Sequence, residues 1–71
     1  MAIHPLLKSF GRRLKQERLD AGLSQEQLAM KAKLSRNFIG MLERGERNIT
    51  ILSVDKIAKV LKVKSKDLLD F

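Results

Sequence analysis

The stretch QEQLAMKAKLSRNFIGMLER, Gln25 to Arg44, decides how this chain folds. It holds two short amphipathic segments separated by the tripeptide Ala32-Lys33-Leu34. Leu28, Ala29 and Ala32 fall on one helical face in the first segment, and Ile39 and Leu42 in the second. Two helices joined by so short a turn cross steeply only where the crossing side chains are small. Ala29 supplies that smallness. Leu28, Ala32 and Leu34 fill beneath the turn, and Ile39 and Leu42 close the core. These sizes at this spacing predict a helix-turn-helix unit over 25–44.

The flanking residues punctuate the same pattern. Ser24 caps the second helix, and Gln27 three residues on completes a capping box. Ser35 caps the third helix and Gly45 stops it. Upstream, Leu7, Phe10, Leu14 and Ala21 follow helical spacing after Pro5, and Gly22 ends this first helix as a left-handed cap. His4 is read as part of a frayed start. Downstream, Thr50 caps a fourth helix with its stripe at Val54, Ile57, Ala58 and Leu61. Lys62 to Lys64 read as a linker, and Ser65 as the cap of a short fifth helix holding Leu68 and Leu69. Only ITILSV approaches a period of two, and the Thr50 cap with the stripe behind it favours helix. The expectation is an all-α fold of five helices in one domain over 1–71.

Composition narrows the function. The chain has 71 residues, 44% hydrophobic and 32% charged, which is globular rather than disordered. Fifteen Lys and Arg against eight Asp and Glu give a formal charge of +7. The excess is spread over both halves, so it implies an anionic partner rather than a basic tail. With no cysteine and one His, thiolate metal sites, disulfides and cysteine nucleophiles are excluded, and no metal or cofactor is expected. No set of Cys, His or clustered carboxylates exists for acid–base chemistry, which argues against an enzyme. There is no signal-peptide pattern and no apolar run near the ~20 residues needed to cross a bilayer. Gly22 and Gly45 break any long membrane-surface helix. A cytoplasmic protein with no membrane partner and no small-molecule ligand is expected.

Within SRNFIGMLERGER, Ser35 to Arg47, two features work against helix stability. Gly40 lies in a helix interior, where Gly costs ~1 kcal/mol relative to Ala. Arg36 and Asn37 occupy a first turn, where the dipole favours acids. The longer stretch GLSQEQLAMKAKLSRNFIGMLERGERNIT resembles the helix-turn-helix of the Xre/Cro/cI-type regulators, and Leu6 to Leu69 fits their five-helix, lambda-repressor-like domain. SRNFIGMLERGERNIT, with its Arg after the cap and its Glu-Arg-Gly-x-Arg-Asn loop, is most similar to restriction-modification controller proteins. That resemblance implies a dimeric, sequence-specific regulator of double-stranded DNA, and helix three as its recognition helix. One departure concerns the turn: the family usually has Gly or Asn where this chain has Lys33. Lys33 is nonetheless expected to be left-handed, at a cost of roughly 1–2 kcal/mol.

The major groove admits one helix, whose N-terminal side chains reach base edges. Arg36 and Asn37 are expected to read bases, Arg forking onto guanine and Asn onto adenine. Gly40 and Met41 join them on the exposed strip, Gly40 by clearing room for DNA and Met41 by apolar contact or partial burial. Phe38 either touches a thymine methyl or the sugar backbone of the DNA, or packs into the core. Phosphate contacts position without reading sequence. They are expected from Arg44, from the loop pair Arg47 and Asn48, and from the helix starts at Ser24, Gln25 and Ser35; for Gln25 the resemblance implies it, and plain capping is the alternative. The resemblance also implies a structural ion pair between Arg18 and Glu43.

One such unit contacts too few base pairs for specificity, so a homodimer on a pseudo-palindromic operator is expected. Ile49, Ile51, Leu52, Leu69 and Phe71 are the candidate dimer surface, with packing inside the monomer as the alternative for each. A different class of function, an antitoxin-like or adaptor module on the same fold, would bind protein instead of DNA.

Overall fold

His4, extended at φ −65° and ψ 133°, turns the chain into α1 (Pro5–Asp20). Its Nδ1 accepts a hydrogen bond from the Leu6 N–H at 3.1 Å, so His4 is a helix cap rather than a frayed end. The computed structural model describes residues 4–70. Four helices follow: α2 (Gln25–Ala32), α3 (Arg36–Glu43), α4 (Ile51–Leu61) and α5 (Ser65–Leu68), with no strand among the described residues. The all-α expectation holds.

Three of the helix starts are the expected hydroxyl caps. Ser24 Oγ accepts from Gln27 N–H at 3.0 Å, and Gln27 Oε1 accepts in return from Ser24 N–H at 2.8 Å. Ser35 accepts from Phe38 N–H and Thr50 from Ser53 N–H. At α5 the cap lies one residue earlier than expected. Asp67 reaches back to the Lys64 N–H at 3.1 Å, so Ser65 is the first helical residue and not the cap.

Four helix ends share one device. Gly22, Lys33, Gly45 and Lys62 all have positive φ, between 58° and 76°. In each case the next N–H bonds the carbonyl five residues back: Leu23 to Arg18, Leu34 to Ala29, Glu46 to Met41 and Val63 to Ala58. This is the Schellman closure, which a hydrophobic contact from the residue after the left-handed one usually accompanies. Leu23, Leu34 and Val63 are all packed against the core. That contact explains how two lysines hold a conformation suited to glycine. Lys33 is left-handed as expected. Lys62, read as linker, is the same cap again, in Leu61-Lys62-Val63 as in Ala32-Lys33-Leu34.

The core comprises Phe10, Leu14, Leu28, Ala29, Ala32, Ile39, Leu42, Val54, Ile57, Ala58, Leu61 and Leu68. α3 packs on α1 and α2, α2 on α4, and α5 on α1 and α4. The stripe of α1 departs from the expected one. Ala21 is exposed because it is the terminal cap, and the buried line runs Phe10, Gly11, Leu14 and Arg18. Gly11 permits the contact of α1 with α3: a Cβ there would lie 2.5 Å from the carbonyl oxygens of both Leu42 and Glu43.

Candidate nucleic-acid interface

With Ile39 and Leu42 fully buried, the rotation of α3 is fixed. Arg36 and Asn37 then stand exposed in its first turn, and Met41 is half-buried one turn on. The turn of α2 into α3 is tight because Ala29 and Ala32, both buried, put no bulk at the crossing.

A hydrogen-bonded lock holds this geometry from behind. Arg18 on α1 donates from Nε to Glu43 Oε2 at 2.6 Å and from Nη2 to Glu43 Oε1 at 3.1 Å, while its Nη1 reaches the Leu23 carbonyl at 2.8 Å. Gln25, first residue of α2, donates its Nε2 to Glu43 Oε1 at 3.0 Å. Helices α1 and α2 thus converge on one carboxylate at the end of α3. The Arg18 and Glu43 side chains are 8% and 4% exposed, so the pair is shielded from water and salt.

Gly40 does not lie on the exposed strip, contrary to expectation: it is buried. A Cβ on it would stand 3.1 Å from Arg44 Nη1 and 3.7 Å from Gln25 Oε1. The space left by the missing side chain is filled from within, by an arginine and a glutamine that cross over the helix. Arg44 is exposed and is held there by Glu46, Nε to Oε2 at 3.0 Å. That hydrogen bond raises the Arg44 pKa above its ordinary value and lowers that of Glu46, the opposite charges adding to it.

Phe38 is half-buried against the core, and the Arg47 guanidinium lies over its ring, 5.5 Å from the centroid. That separation is within cation–π range. The loop arginine is therefore tied to α3 through Phe38, a link with no signal in the sequence. Asn48 Oδ1 accepts from the Ile49 N–H at 3.0 Å. The hydroxyl oxygens of Ser24 and Ser35 accept backbone bonds as caps.

The profile of the helix-turn-helix family matches residues 14–68. The chain belongs to that family. Among its helix-turn-helix relatives, control protein C.BamHI of Bacillus amyloliquefaciens is 46% identical over 63 residues, 87% of this chain and 78% of that one. The crystal structure of the restriction-modification controller protein C.AhdI from Aeromonas hydrophila superposes with a TM-score of 0.86. It is 40% identical, with 87% of this chain and 94% of that one covered. SinR, a master regulator for biofilm formation solved in complex with DNA, gives 0.83 at 35% identity, covering 86% and 98%. This helix-turn-helix protein is thus a DNA-binding regulator of the controller type, and none of these three relatives is named as an enzyme.

The candidate dimer residues separate into two groups. Ile51 and Leu52 are 78% and 75% exposed at the start of α4, and Leu69 is exposed at the end of α5. Ile49 is half-buried and packs on the core, so its apolar side chain already has a place inside the monomer. Phe71 lies outside the described residues. Leu6, absent from the expected set, is exposed beside Leu69 along a groove of about 380 Å³ that Phe10 and Ile49 also line. No helix among the described residues is long and apolar enough to cross a membrane.

Proposed function

We propose that this protein reads double-stranded DNA sequence-specifically through α3, as a homodimer on a pseudo-palindromic operator, and that it controls a restriction-modification operon together with its own gene. The observation that carries the reading is the pairing of an exposed Arg36 and Asn37 at the start of α3 with the buried lock at its other end. Base readout needs side chains held to a fraction of an ångström, and the lock supplies that rigidity.

In this reading Arg36 and Asn37 contact bases and Met41 adds apolar contact. Gly40 acts indirectly, giving passage to Arg44 and Gln25 instead of to DNA. Arg44, Arg47, Asn48, Gln25, Ser24, Ser35 and the edge of Phe38 face the phosphate backbone. The two-fold arrangement rests on Ile51, Leu52 and Leu69, with half-sites ~10–10.5 bp apart or a multiple of that. The names of the controller relatives and the DNA complex of the SinR neighbour support the assignment.

Selection of bound sites from random duplexes tests it. Wild type should enrich a palindromic repeat, and Arg36→Ala should lose about 1–3 kcal/mol of discrimination at one position of each half-site. Arg47→Ala should weaken all duplexes alike and flatten the salt dependence. Identical site preferences for wild type and Arg36→Ala would remove Arg36 from the base-reading set.

A further inference from the structure

A second basic feature lies outside the matched helix-turn-helix segment, which begins at Leu14. Lys8 and Arg12 stand four residues apart on α1, hence on one face. Together with Glu43 and Arg44 they line a cleft of about 200 Å³ between α1 and the end of α3. Two glycines create it. Gly11 brings the α1 backbone against the Leu42 and Glu43 carbonyls, and a Cβ on Gly45 would stand 2.9 Å from Lys8 Cγ. The two elements meet closely enough for three cationic side chains to share one opening.

The charges in this cleft are unbalanced. Both Glu43 oxygens are occupied by Arg18 and Gln25, and its side chain is almost fully buried. Arg44 has Glu46 as its counter-ion, whereas neither Lys8 nor Arg12 is in an ion pair among the described residues. The cleft is smaller than the ~300–1,000 Å³ typical of sites for drug-sized organic ligands. Its size and charge suit one oxyanion group.

We infer that Lys8, Arg12 and Arg44 form a phosphate clamp on the DNA backbone, extending the contact surface from the helix-turn-helix unit onto α1. The inference rests on the DNA-binding reading above. DNA is the occupant because the cleft begins where the recognition helix ends. Its wall, Arg44, is the exposed cap that directly follows α3, and the unpaired positive charge of Lys8 and Arg12 beside it complements a phosphate backbone. A strand passing the C-terminal end of α3 meets Lys8 and Arg12 next. Being backbone contacts, they add affinity without adding sequence preference.

The test compares Lys8→Gln with Arg12→Gln, as one double variant, against a charge-matched control, Lys56→Gln with Lys66→Gln. All four side chains are exposed, and glutamine retains most of each stem, so both proteins keep the fold. Affinity is measured for a duplex selected by wild type and for a scrambled duplex, over roughly 50 to 200 mM salt. The cleft variant should lose affinity for both duplexes by the same factor, about tenfold or more at the lower salt. Its slope of log K against log salt should be shallower by ~0.9 for each phosphate released. Equal losses in the two double variants would overturn the clamp, leaving only net charge. An unchanged cleft variant would also overturn it and point to an acidic protein surface as the occupant. If wild type itself binds neither duplex, the DNA-binding reading fails and the clamp with it, an outcome that the wild-type arm alone identifies.

Discussion

Arg18 and Glu43 stand 25 residues apart in the chain, yet their side chains meet at 2.6 Å in a nearly water-free contact that joins α1 to α3. Each group makes a further hydrogen bond nearby, Arg18 to the Leu23 carbonyl and Glu43 from Gln25. A buried pair of this kind contributes little net stability against an apolar replacement, because desolvation offsets the attraction. What it contributes is a fixed orientation. The two ends of the lock hold the helix whose opposite end carries Arg36 and Asn37.

Breaking one partner therefore strands a buried charge. Arg18→Met should lower unfolding free energy by about 3–5 kcal/mol, a large part of what a small domain has. Adding Glu43→Leu to the same protein should restore most of that loss while leaving duplex affinity low, since Gln25 and α3 lose their common anchor. Urea unfolding and duplex titration of the three proteins read this out. A loss below ~1 kcal/mol in Arg18→Met would mean that water reaches the Glu43 carboxylate freely.

The helical glycines at 11 and 40 carry opposite expectations. Alanine should gain ~1 kcal/mol of helix propensity at either site. At Gly11 the new methyl meets two backbone carbonyl oxygens at 2.5 Å, which cannot give way without parting α1 from α3. Gly11→Ala should lose about 1–3 kcal/mol as an overpacked contact. At Gly40 the nearest atom, at 3.1 Å, is the end of a flexible and exposed arginine. Gly40→Ala should therefore raise the melting temperature, yet bind DNA no better than wild type because it displaces Arg44 from its place over the helix. Thermal melts of both variants test the contrast. A Gly11→Ala protein as stable as wild type would show that the α1–α3 contact is loose.

These two glycines also mark how far the sequence can be read. Caps, stripes and the rotation of α3 are legible because they depend on residues three to seven apart. Gly11 lies on the same face as Leu7, Leu14 and Arg18, and the stripe could have been extended to include it. Gly40 stands out by its propensity cost, but its neighbour Gln25 comes from a different helix, and no spacing rule reports a side chain folding over from elsewhere. The Phe38–Arg47 contact is hidden for the same reason. Lys62 is recoverable: Leu61-Lys62-Val63 repeats the apolar-Lys-apolar order at 32–34. Arg18 and Glu43 are placed only through family resemblance, since charges so far apart in the chain have no local signature.

The two left-handed lysines can be tested by removing their side chains. A non-glycine residue in this conformation costs roughly 1–2 kcal/mol, while a new glycine frees the unfolded chain by about 0.4–1 kcal/mol. Lys33→Gly and Lys62→Gly should each gain about 0.5–1 kcal/mol, or a few degrees in melting temperature. If either variant melts lower than wild type, the lysine side chain itself holds its helix end, and that anchoring outweighs the backbone strain.

The exposed start of α4 offers the most direct test of self-association. Leu52 is 75% exposed and Thr50 caps the helix just before it, so an acidic residue at 52 faces the positive end of the dipole. Leu52→Asp should leave monomer stability within ~0.5 kcal/mol of wild type, as surface changes usually do. At a dimer interface the same change removes a buried Leu worth about 1.5–3 kcal/mol and adds a charge facing apolar neighbours. Dimer affinity should then fall by at least about tenfold, because each ~1.4 kcal/mol is a factor of ten. Sedimentation equilibrium across a dilution series measures this directly. On DNA, the variant should still recognise a single half-site but lose the steep joint occupation of two. A Leu52→Asp protein that dimerises as tightly as wild type would take the two-fold axis away from α4 and leave the groove beside Leu6 and Leu69 as the place to look for it. A wild type that sediments as a monomer at every concentration would instead overturn the free dimer itself.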